Sequence, residues 1–252
     1  MPPAQEGAPQ PMLVIGGTRG TGKLIVERLC AASSPVRVLA RNPVRAGRVL
    51  PATADVVKGD LTQRDSLLAA TRSVAHIVFT AGCRSGYPAT ESRVRAVEYE
   101  GVLSTLAAAV ANGFAGRFLY MTSIGVDRPS VASRLLNLYK GNALRWRRRA
   151  EDAIRASGLD YVTIRAGFLL NGEGGRRELR VSQEALPLHP SYRITRSDVA
   201  DVFLACLEHP ATTRATFELV FGSGVRRTPI ATLLDQVRQD RASIPGGGDE
   251  HA

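Results

Sequence analysis

The segment IGGTRGTGK, residues 15–23, follows the short apolar run Met12–Ile15 and contains four glycines. Glycines permit tight turns and allow a ligand to approach the backbone closely. Where such a turn leads from a strand into a helix, the unpaired N–H groups and the helix dipole attract an anion. The segment therefore predicts a nucleotide-phosphate site near the start of an α/β fold.

Two classes of nucleotide are compatible with this spacing. From Gly17 to Lys23 the segment has the pattern of a P-loop, which binds ATP or GTP. A P-loop requires Ser or Thr after the lysine to bind Mg²⁺, and the residue here is Leu24. It also requires an acidic metal ligand after an apolar strand, whereas the third predicted strand ends at Lys58 and the next two end in neutral residues. The pattern therefore favours a dinucleotide over a triphosphate.

Apolar runs alternate with helical patterns through most of the chain. Strands are predicted at 12–15, 36–40, 54–58, 76–80, 118–121, 161–165 and 217–220, and helices at 20–32, 64–71, 92–112, 148–157 and 195–208. Alternating strands and helices form right-handed crossovers and a parallel sheet covered on both faces. The sequence thus predicts an α/β fold with a doubly wound, mostly parallel, Rossmann-like sheet. In the helix at 92–112, the apolar face is expected to hold Val94, Val97, Val102, Leu106 and Val110.

The length and composition suit a single domain. The 252 residues are 44% hydrophobic, which is enough for one sizeable α/β core. We expect that domain at 12–243, with a small substrate-binding part towards its C-terminus and flexible tails at 1–11 and 244–252. No run approaches the roughly 18 consecutive apolar residues that a spanning helix needs, so no membrane is expected as a partner. Three widely separated cysteines predict no metal site and a reducing, cytoplasmic location.

The formal net charge of +10 raises the question of a polyanionic partner. The densest basic segment is LRWRRRAED, residues 144–152. Trp146, Ala150 and Ile154 recur there every four residues and form an apolar helix face, so the arginines belong to the solvated face. No nucleic-acid recognition motif accompanies the segment. We therefore expect a small-molecule ligand rather than nucleic acid.

The end of the second predicted strand indicates which dinucleotide is bound. A site for NAD usually has Asp or Glu there to accept hydrogen bonds from the ribose 2′-hydroxyl, but this chain has Arg41 and Asn42. Arginine cannot accept those bonds, and its planar guanidinium suits a phosphate dianion. Arg19 in the glycine segment offers a second cation, so NADP(H) is the predicted cofactor. Solvated surface arginines in an arginine-rich chain are the alternative.

Seven motifs taken together resemble one family. They are LVIGGTRGTGKLIVERL, VRVLARNPVRA, VVKGDLTQRDSLLAA, HIVFTAG, RFLYMTSIGVDRP, RRRAEDAIRASGLDYVTIRAG and YRITRSDVADVFLACLEHP. In this order and spacing, over residues 12–220, they are similar to the atypical short-chain dehydrogenases/reductases of the NAD(P)-binding, NmrA-like group. Residues 124–145 and 168–192, which lack a regular pattern, are expected to form the substrate region over a mostly apolar pocket.

The resemblance implies a set of cofactor contacts. It places Asp60 and Leu61 beside the adenine, residues 80–82 against the adenine ribose, and the backbone at 166–168 near the nicotinamide. The predicted cofactor residues are Gly16, Thr18, Arg19, Gly20, Thr21, Gly22, Arg41, Asn42, Asp60, Leu61, Thr80, Ala81, Gly82, Gly167 and Phe168. The family has proline where this chain has Ala166, which leaves the shape of that loop open. Asp60 is alternatively a turn former.

The catalytic residues of the family are only partly present. Ordinary members use a tyrosine as proton donor and a lysine four residues later that lowers its pKa, but the aligned residues here are Ala143 and Arg147. Ser123 matches a hydroxyl that the family places near the nicotinamide, and Tyr139 is the remaining candidate proton donor. Ser123, Tyr139 and Arg147 are the predicted catalytic residues, with Arg147 anchoring a cofactor ribose or a substrate anion.

The predicted function is that of an NADP(H)-dependent oxidoreductase acting on a small carbonyl, enone or quinone compound, as a monomer or homodimer. Hydride transfer does not strictly require the missing residues, because the cofactor carries the difficult step. The alternative is a catalytically silent NADP(H)-binding protein that senses redox state or binds a partner, because a fold alone does not establish an activity.

Overall fold

The computed structural model describes residues 9–83, 89–224 and 227–241, and the strands in these ranges form one large and one small sheet. The large sheet contains β1 (Met12–Ile15), β2 (Val36–Ala40), β3 (Asp55–Lys58), β4 (His76–Phe79), β5 (Arg117–Ser123), β6 (Asp160–Ala166), β8 (Leu179–Ser182) and β10 (Ala215–Phe221). Its strand order is β3-β2-β1-β4-β5-β6-β10-β8, and all neighbours are parallel except β8 against β10. The small sheet pairs β7 (Phe168–Leu170) with β9 (Arg193–Thr195) in parallel.

Helices lie on both faces of the large sheet. They are α1 (Gly20–Ala31), α2 (Pro43–Gly47), α3 (Arg64–Ala70), α4 (Glu91–Arg95), α5 (Gly101–Ala111), α6 (Val131–Tyr139), α7 (Ala143–Ala156), α8 (Arg196–Ala205) and α9 (Ile230–Leu234). A π-helical turn, Ala96–Glu100, joins α4 to α5, and a 3-10 turn, Pro210–Thr212, follows α8.

Strand β1 lies at the centre of the core. Successive residues of a strand face opposite sides of the sheet, and Leu13 packs in a cluster with α3, α5 and α7, whereas Val14 packs in a cluster with α1 and α8. Both residues are completely buried, as expected for a parallel strand covered on both faces. The neighbours β2 and β4 lie on either side of β1, which makes the end of β1 the switch point where such sheets bind ligands. The predicted Rossmann-like fold is confirmed.

The helix predicted at 92–112 is interrupted by the π-helical turn. Such a turn inserts an extra residue into the helical period. Beyond it, the four-residue steps from Val102 to Leu106 and Val110 drift by about 40° each around a helix of 3.6 residues per turn. Val94, Val102 and Leu106 are buried as predicted, but the prediction for Val110 is wrong, because its side chain is 55% exposed. Glu98, inside the π-helical turn, is buried instead.

Regular elements also occupy the two stretches for which no regular pattern is predicted. Helix α6 lies within 124–145, and β7 and β8 lie within 168–192. Helix α7 begins at Ala143 rather than near 148, because Gly141 and Asn142 have positive φ and separate it from α6. Tyr139 therefore ends a different helix from the one that carries Arg147.

Three expectations from the sequence concern the ends of the chain, membrane-spanning helices and metal sites. The tails predicted at 1–11 and 244–252 lie mostly outside the described residues. No helix in the described ranges is long and apolar enough to cross a membrane. The same ranges contain no group of three or more His, Cys, Asp or Glu side chains that could hold a metal ion.

An ionic group is buried between α7 and the strands β6 and β10. The Nε atom of Arg165 donates to both carboxylate oxygens of Glu151 at 3.2 Å, and its Nη1 lies 3.6 Å from Oε1 of Glu218. Glu151 and Glu218 are both buried. Burial raises the pKa of Glu218 to about 7, although the neighbouring Arg165 acts in the opposite direction.

This raised pKa predicts a pH-dependent stability. Between the ordinary glutamate pKa and about 7, the folded protein holds this proton more tightly than the unfolded chain, so the free energy of unfolding falls as pH rises. Glu218→Gln lacks this titrating group and should not show that loss. Its free energy of unfolding should therefore rise by about 2 kcal/mol relative to that of wild type between about pH 5 and about pH 8. Urea unfolding at both pH values measures it, with the exposed Glu184→Gln as control. Equal pH dependence in wild type and Glu218→Gln would refute the expectation.

Candidate functional site

The glycine segment forms the turn from β1 into α1 and packs against the end of β4. Gly16 has φ +91°, and a Cβ there would lie 2.6 Å from the backbone nitrogen of Ala81. A Cβ on Gly22 would lie 2.5 Å from the carbonyl oxygen of Gly16. No side chain tolerates such approaches, so both positions require glycine. The turn consequently lies directly against the carboxyl end of β4.

The first turn of α1 carries polar groups suited to a phosphate. The first four N–H groups of a helix have no acceptor within it, and Arg19, the N-cap residue, makes no side-chain capping bond. The hydroxyl of Thr21 is buried and has no hydrogen-bond partner in the described part of the chain. A phosphate at this point would accept hydrogen bonds from these groups. The residues present therefore fit the pyrophosphate of a dinucleotide.

Lys23, the lysine of the P-loop alternative, is engaged elsewhere. Its Nζ lies 3.3 Å from Oε1 of Glu27, one turn further along α1. An exposed pair of this kind contributes little to stability. Lys23 thus takes part in a surface ion pair of α1, as the dinucleotide interpretation expects.

Lys23→Ala should accordingly leave NADPH affinity within about twofold of wild type, because the lost contact is a surface ion pair. NADPH should raise the melting temperature of both proteins, since a ligand that binds only the folded state stabilises it. ATP with Mg²⁺ should not. Thermal shift and fluorescence titration test this, with Glu27→Ala as the matched control. A shift with ATP and none with NADPH would restore the triphosphate interpretation.

The two arginines of the predicted 2′-phosphate site contact different groups. Nη2 of Arg19 donates to the carbonyl oxygen of Gly82 at 3.2 Å, across the space between the glycine turn and β4. Arg41 is exposed at the end of β2. The pKa of Asp60 is lowered, first by a hydrogen bond from the backbone of Thr62 and also by the charge of Arg41. Arg41 therefore lies near Asp60, at the adenosine end expected from the resemblance.

Three predicted cofactor residues have structural contacts of their own. Oδ1 of Asn42 accepts from the backbone nitrogen of Arg45 at 2.9 Å and so caps α2. Oδ1 of Asp60 accepts from the backbone and hydroxyl of Thr62 at 3.0 and 2.9 Å, which is the turn-forming role considered for it above. Leu61 packs against Gly101, where a Cβ would meet Leu61 Cδ1 at 3.0 Å. Their roles towards a cofactor remain predictions.

The segment after β4 lies between the glycine turn and the predicted catalytic residues. The hydroxyl of Thr80 donates to the carbonyl oxygen of Ile15 at 3.1 Å and ties β4 to β1. A Cβ on Gly82 would lie 3.4 Å from Oε1 of Glu98 and 3.9 Å from Nη2 of Arg147. The backbone of residues 80–82 therefore connects the predicted phosphate site with an ionic pair on the neighbouring helices.

Ser123, Arg147 and Glu98 form a hydrogen-bonded group at the carboxyl end of β5. Nε of Arg147 lies 2.6 Å from Oε2 of Glu98, and Nη1 of Arg147 donates to Oγ of Ser123 at 3.0 Å. Oε1 of Glu98 accepts from the backbone nitrogen of Cys83 at 2.7 Å. Both carboxylate oxygens of Glu98 are thus occupied, and the guanidinium is fixed against Ser123.

The electrostatics of this group keep Arg147 charged. Burial disfavours the cation, but the charge of Glu98 and its hydrogen bond outweigh burial, so the pKa of Arg147 is raised above its ordinary value. Burial also raises the pKa of the neighbouring Tyr120 hydroxyl. Neither group exchanges a proton near neutral pH. The site therefore holds a permanent cation and lacks, in these two residues, a titrating acid.

Residues 166–168 and Tyr139 are the other residues predicted to lie near the nicotinamide. Ser123 pairs with Ala166 in the register of β5 and β6, so the two strand ends are level. The N–H groups of Gly167 and Phe168 donate to the carbonyl oxygens of Leu219 and Tyr192, and are used within the protein. Tyr139 is 51% exposed, with Nζ of Lys140 5.4 Å from its ring centre. The structure thus brings Ser123 and Arg147 together without Tyr139.

Sequence reasoning missed two charged residues at this site. Glu98 was hidden because helical periodicity does not reveal a π-helical turn; an acidic residue within an otherwise apolar-faced helix was the available signal. Arg196, the first residue of α8, was also missed. A Cβ on Gly20 would lie 3.6 Å from Nε of Arg196, and Nη1 of Arg196 donates to Oδ1 of Asn171 at 2.7 Å. Arg196 thus adds a cation over the glycine turn.

Comparison with known proteins agrees with this geometry. A family model described as NAD(P)H-binding matches residues 16–210, well over half of the chain. The chain belongs to the NAD(P)H-binding family. Its membership confirms the resemblance to atypical short-chain dehydrogenases/reductases and makes a nicotinamide dinucleotide the ligand class of the glycine turn.

Relatives of this NAD(P)H-binding protein differ in length and description. Protein TIC 62, chloroplastic, of Arabidopsis thaliana is 23% identical over 255 residues, covering 93% of this chain and 39% of that protein. Sanguinarine reductase of Eschscholzia californica is 39% identical over 87 residues, covering 34% of this chain and 32% of that enzyme. The chain spans only 32% to 47% of the length of the first curated relatives it matches.

A solved structure supports the fold. The anaerobillin reductase ChuY of Escherichia coli is 24% identical, with a TM-score of 0.70 over 84% of this chain and 98% of that chain. At 24% identity the likeness shows a shared architecture and nothing more. The NAD(P)H-binding chain therefore shares its Rossmann-like sheet with a reductase.

Proposed function

We propose that the chain is an NADP(H)-dependent oxidoreductase that reduces a small organic carbonyl, enone or quinone compound. The observation that carries the proposal is the Glu98–Arg147–Ser123 group at the carboxyl end of β5. It lies beside Gly82, on the same edge of the sheet as the glycine turn. Family membership and a reductase among the relatives support it. A cytoplasmic location belongs to the same proposal, since the three cysteines are free.

The glycine turn and the cations around it would hold the cofactor. Glycine at 16 and 22 keeps the turn against β4, and the Thr21 hydroxyl and the first N–H groups of α1 are available to phosphate oxygens. Arg196 adds positive charge over Gly20. Bound there, NADPH supplies the hydride for the reduction.

Arg41 is proposed to select NADP(H) over NAD(H). It is an exposed guanidinium at the end of β2, where an acidic residue would read the ribose hydroxyls. A charge-assisted contact with the 2′-phosphate is stronger than one with a neutral group. Asp60 lies close enough to Arg41 for the charge of Arg41 to lower the pKa of Asp60, after the larger effect of its hydrogen bond from the backbone of Thr62.

Arg41→Ala should weaken NADPH binding about tenfold, the effect of losing one such contact, while NADH affinity changes by less than about twofold. Fluorescence titration with both nucleotides gives the two dissociation constants. Arg48→Ala, an exposed arginine at the end of α2, is the control and should change neither. Equal weakening of NADPH and NADH by Arg41→Ala would show that Arg41 does not read the phosphate.

Ser123 and Arg147 are proposed to stabilise the substrate oxygen. Because Oγ of Ser123 accepts a hydrogen bond from Arg147, its own O–H remains available to donate to a substrate oxygen. That oxygen gains negative charge as the carbon beside it is reduced, and a fixed donor next to a permanent cation stabilises the charge. Arg147 does not release a proton, so water supplies the proton that the product oxygen requires.

The test is NADPH oxidation by the purified protein with a panel of carbonyls, enones and quinones. With an active substrate, Ser123→Ala should lower kcat about tenfold or more. Tyr139→Phe should leave kcat within about twofold, because Tyr139 is half exposed and ends a different helix from the one that carries Arg147. Removing a general acid would cost far more. A hundredfold loss in Tyr139→Phe, about the size expected for a proton donor, would assign the proton to the phenol and replace this mechanism.

A second candidate is a silent NADP(H)-binding protein that senses redox state or binds a partner. It is favoured by Ala143 and Arg147, which stand where the family has its proton donor and lysine. Tight NADPH binding without NADPH oxidation across the whole panel would support this candidate over the oxidoreductase. Binding and turnover are measured separately, so the two functions are distinguishable.

A further inference from the structure

Helix α6 turns most of its large apolar side chains towards solvent. The four residues that form this surface, called the α6 stripe below, are Val131, Leu135, Leu138 and Tyr139, with exposures of 73%, 63%, 84% and 51%. At 3.6 residues per turn they fall on one side of the helix. The opposite side, with buried Ser133 and half-buried Leu136 and Asn137, faces the rest of the protein.

The orientation of α6 is fixed by its ends. The Ser130 hydroxyl accepts from the backbone nitrogen of Ser133 at 3.1 Å, and the Ser133 hydroxyl accepts from the backbone nitrogen of Ser130 at 2.7 Å. Near the other end, Oδ1 of Asn137 accepts from the backbone nitrogen of Leu144 at 2.9 Å, at the start of α7. These bonds hold the polar side inwards. The exposure of the α6 stripe therefore follows from the hydrogen bonds that fix how α6 packs.

The surroundings of the stripe are strongly basic. Residues 124–149 contain seven basic side chains and one acidic side chain. Arg128, Arg134, Arg145 and Arg149 are exposed. The acidic residue, Asp127, is paired with Arg148 and Arg165 and does not offset the exposed arginines. Arg134 lies on α6 itself, and with Arg145 and Arg149 it lines the groove between α6 and α7. Exposed positive charge therefore borders the helix that carries the apolar stripe.

We propose that the α6 stripe docks onto an anionic lipid bilayer surface. This departs from the expectation that no membrane is a partner, which considered only helices that span a bilayer. Amphipathic helices of this kind lie in the interfacial plane, with apolar side chains in the lipid and basic residues against the headgroups. Anionic lipids attract such arginines additively over a short range. A second copy of the chain would bring the same arginines against each other, which is unfavourable. The proposal is independent of the proposed oxidoreductase mechanism, since it uses neither the cofactor site nor Ser123 and Arg147, and its test variants leave Tyr139 unchanged.

The test is co-sedimentation of the full chain with vesicles. We expect binding to phosphatidylcholine vesicles containing about a quarter phosphatidylglycerol, weak binding to phosphatidylcholine alone, and loss of binding at high salt. Leu135→Gln/Leu138→Gln should lower the partition coefficient about tenfold or more, because both side chains enter the lipid. Val110→Gln, which changes an exposed valine on α5, should bind like wild type.

Three outcomes would overturn the proposal. They are absence of binding to the anionic vesicles, equal binding to neutral and anionic vesicles, and unchanged binding by the double variant. A wild-type dimer that the double variant converts to monomer would also overturn it and assign the stripe to a contact between copies. The NADPH-induced thermal shift, measured on every variant, verifies that each is folded. Its absence in wild type would count against the cofactor site and leave the vesicle result standing.

Discussion

Replacing Arg147 by methionine is expected to lower the free energy of unfolding by about 3 kcal/mol, because it leaves a buried carboxylate without its partner. The carboxylate is Glu98, whose side chain is 3% exposed and whose Oε2 lies 2.6 Å from Nε of Arg147. Solvent reaches part of the arginine, so the loss should fall at the lower end of the range for buried pairs. Urea unfolding measures the difference directly.

A double-mutant cycle isolates the pair. Glu98→Gln/Arg147→Met should recover more than about half of the stability lost in Arg147→Met, since the unpaired charge is gone. Arg145→Met, which changes an exposed arginine of α7, is the matched control, and its effect should stay within about 0.5 kcal/mol. If the stability lost in the double variant equals the sum of the losses in the two single variants, Glu98 and Arg147 are not coupled. The mechanism would then lack its fixed guanidinium.

Gly22→Ala is expected to weaken NADPH binding about a hundredfold or more, an effect of ~2.7 kcal/mol. The added Cβ would lie 2.5 Å from the carbonyl oxygen of Gly16, so the turn must move away from β4. Displacing the turn misplaces the phosphate-binding N–H groups of α1. Fluorescence titration gives the affinity, and circular dichroism verifies the fold.

Gly47→Ala is the control for that substitution. A Cβ on Gly47 meets nothing within 4 Å, so this variant should bind NADPH like wild type. If Gly22→Ala, folded by circular dichroism, also binds like wild type, the phosphates do not lie on this turn. The candidate site would then have to be sought elsewhere.

The parallel strands of the large sheet could be predicted because each is a local signal. Short apolar runs such as the one ending at Ile15 alternate with helical patterns, and crossover rules then determine a parallel sheet. The strands β7, β8 and β9 could not be predicted in the same way. β8, for example, pairs antiparallel with the distant β10, and its four residues, LRVS, alternate apolar and polar over only two repeats.

The candidate site was predictable where local chemistry decides the position. The glycines at 16 and 22 are required by contacts within a turn, and turns are readable from sequence. The family resemblance, rather than spacing, assigned Ser123 and Arg147 to the site, and the hydrogen bond between them was not predicted. The third member of the group, Glu98, lies 49 residues before Arg147 and reaches it through a π-helical turn, which no period of hydrophobic residues indicates.

Local hydrogen bonds explain why the roles of Asn42 and Asp60 could not be decided from the sequence. Asn42 and Asp60 both form side-chain bonds to the backbone two or three residues later, the behaviour typical of Asn and Asp in turns. A cofactor contact and a capping bond place the same residue types at the same points, so the sequence could not separate them. Gly141 and Asn142, which end the α6 segment, carried a recognisable breaker signal that would have separated Tyr139 from Arg147.

Calorimetric titration of the wild-type protein with NADPH and with NADH tests the central claim, a cofactor site that reads the 2′-phosphate. The account predicts that NADPH binds at least about tenfold more tightly than NADH, a difference of ~1.4 kcal/mol. The exposed Arg41 at the end of β2 provides the physical reason. Equal affinities for the two nucleotides, or tighter binding of NADH, would contradict it.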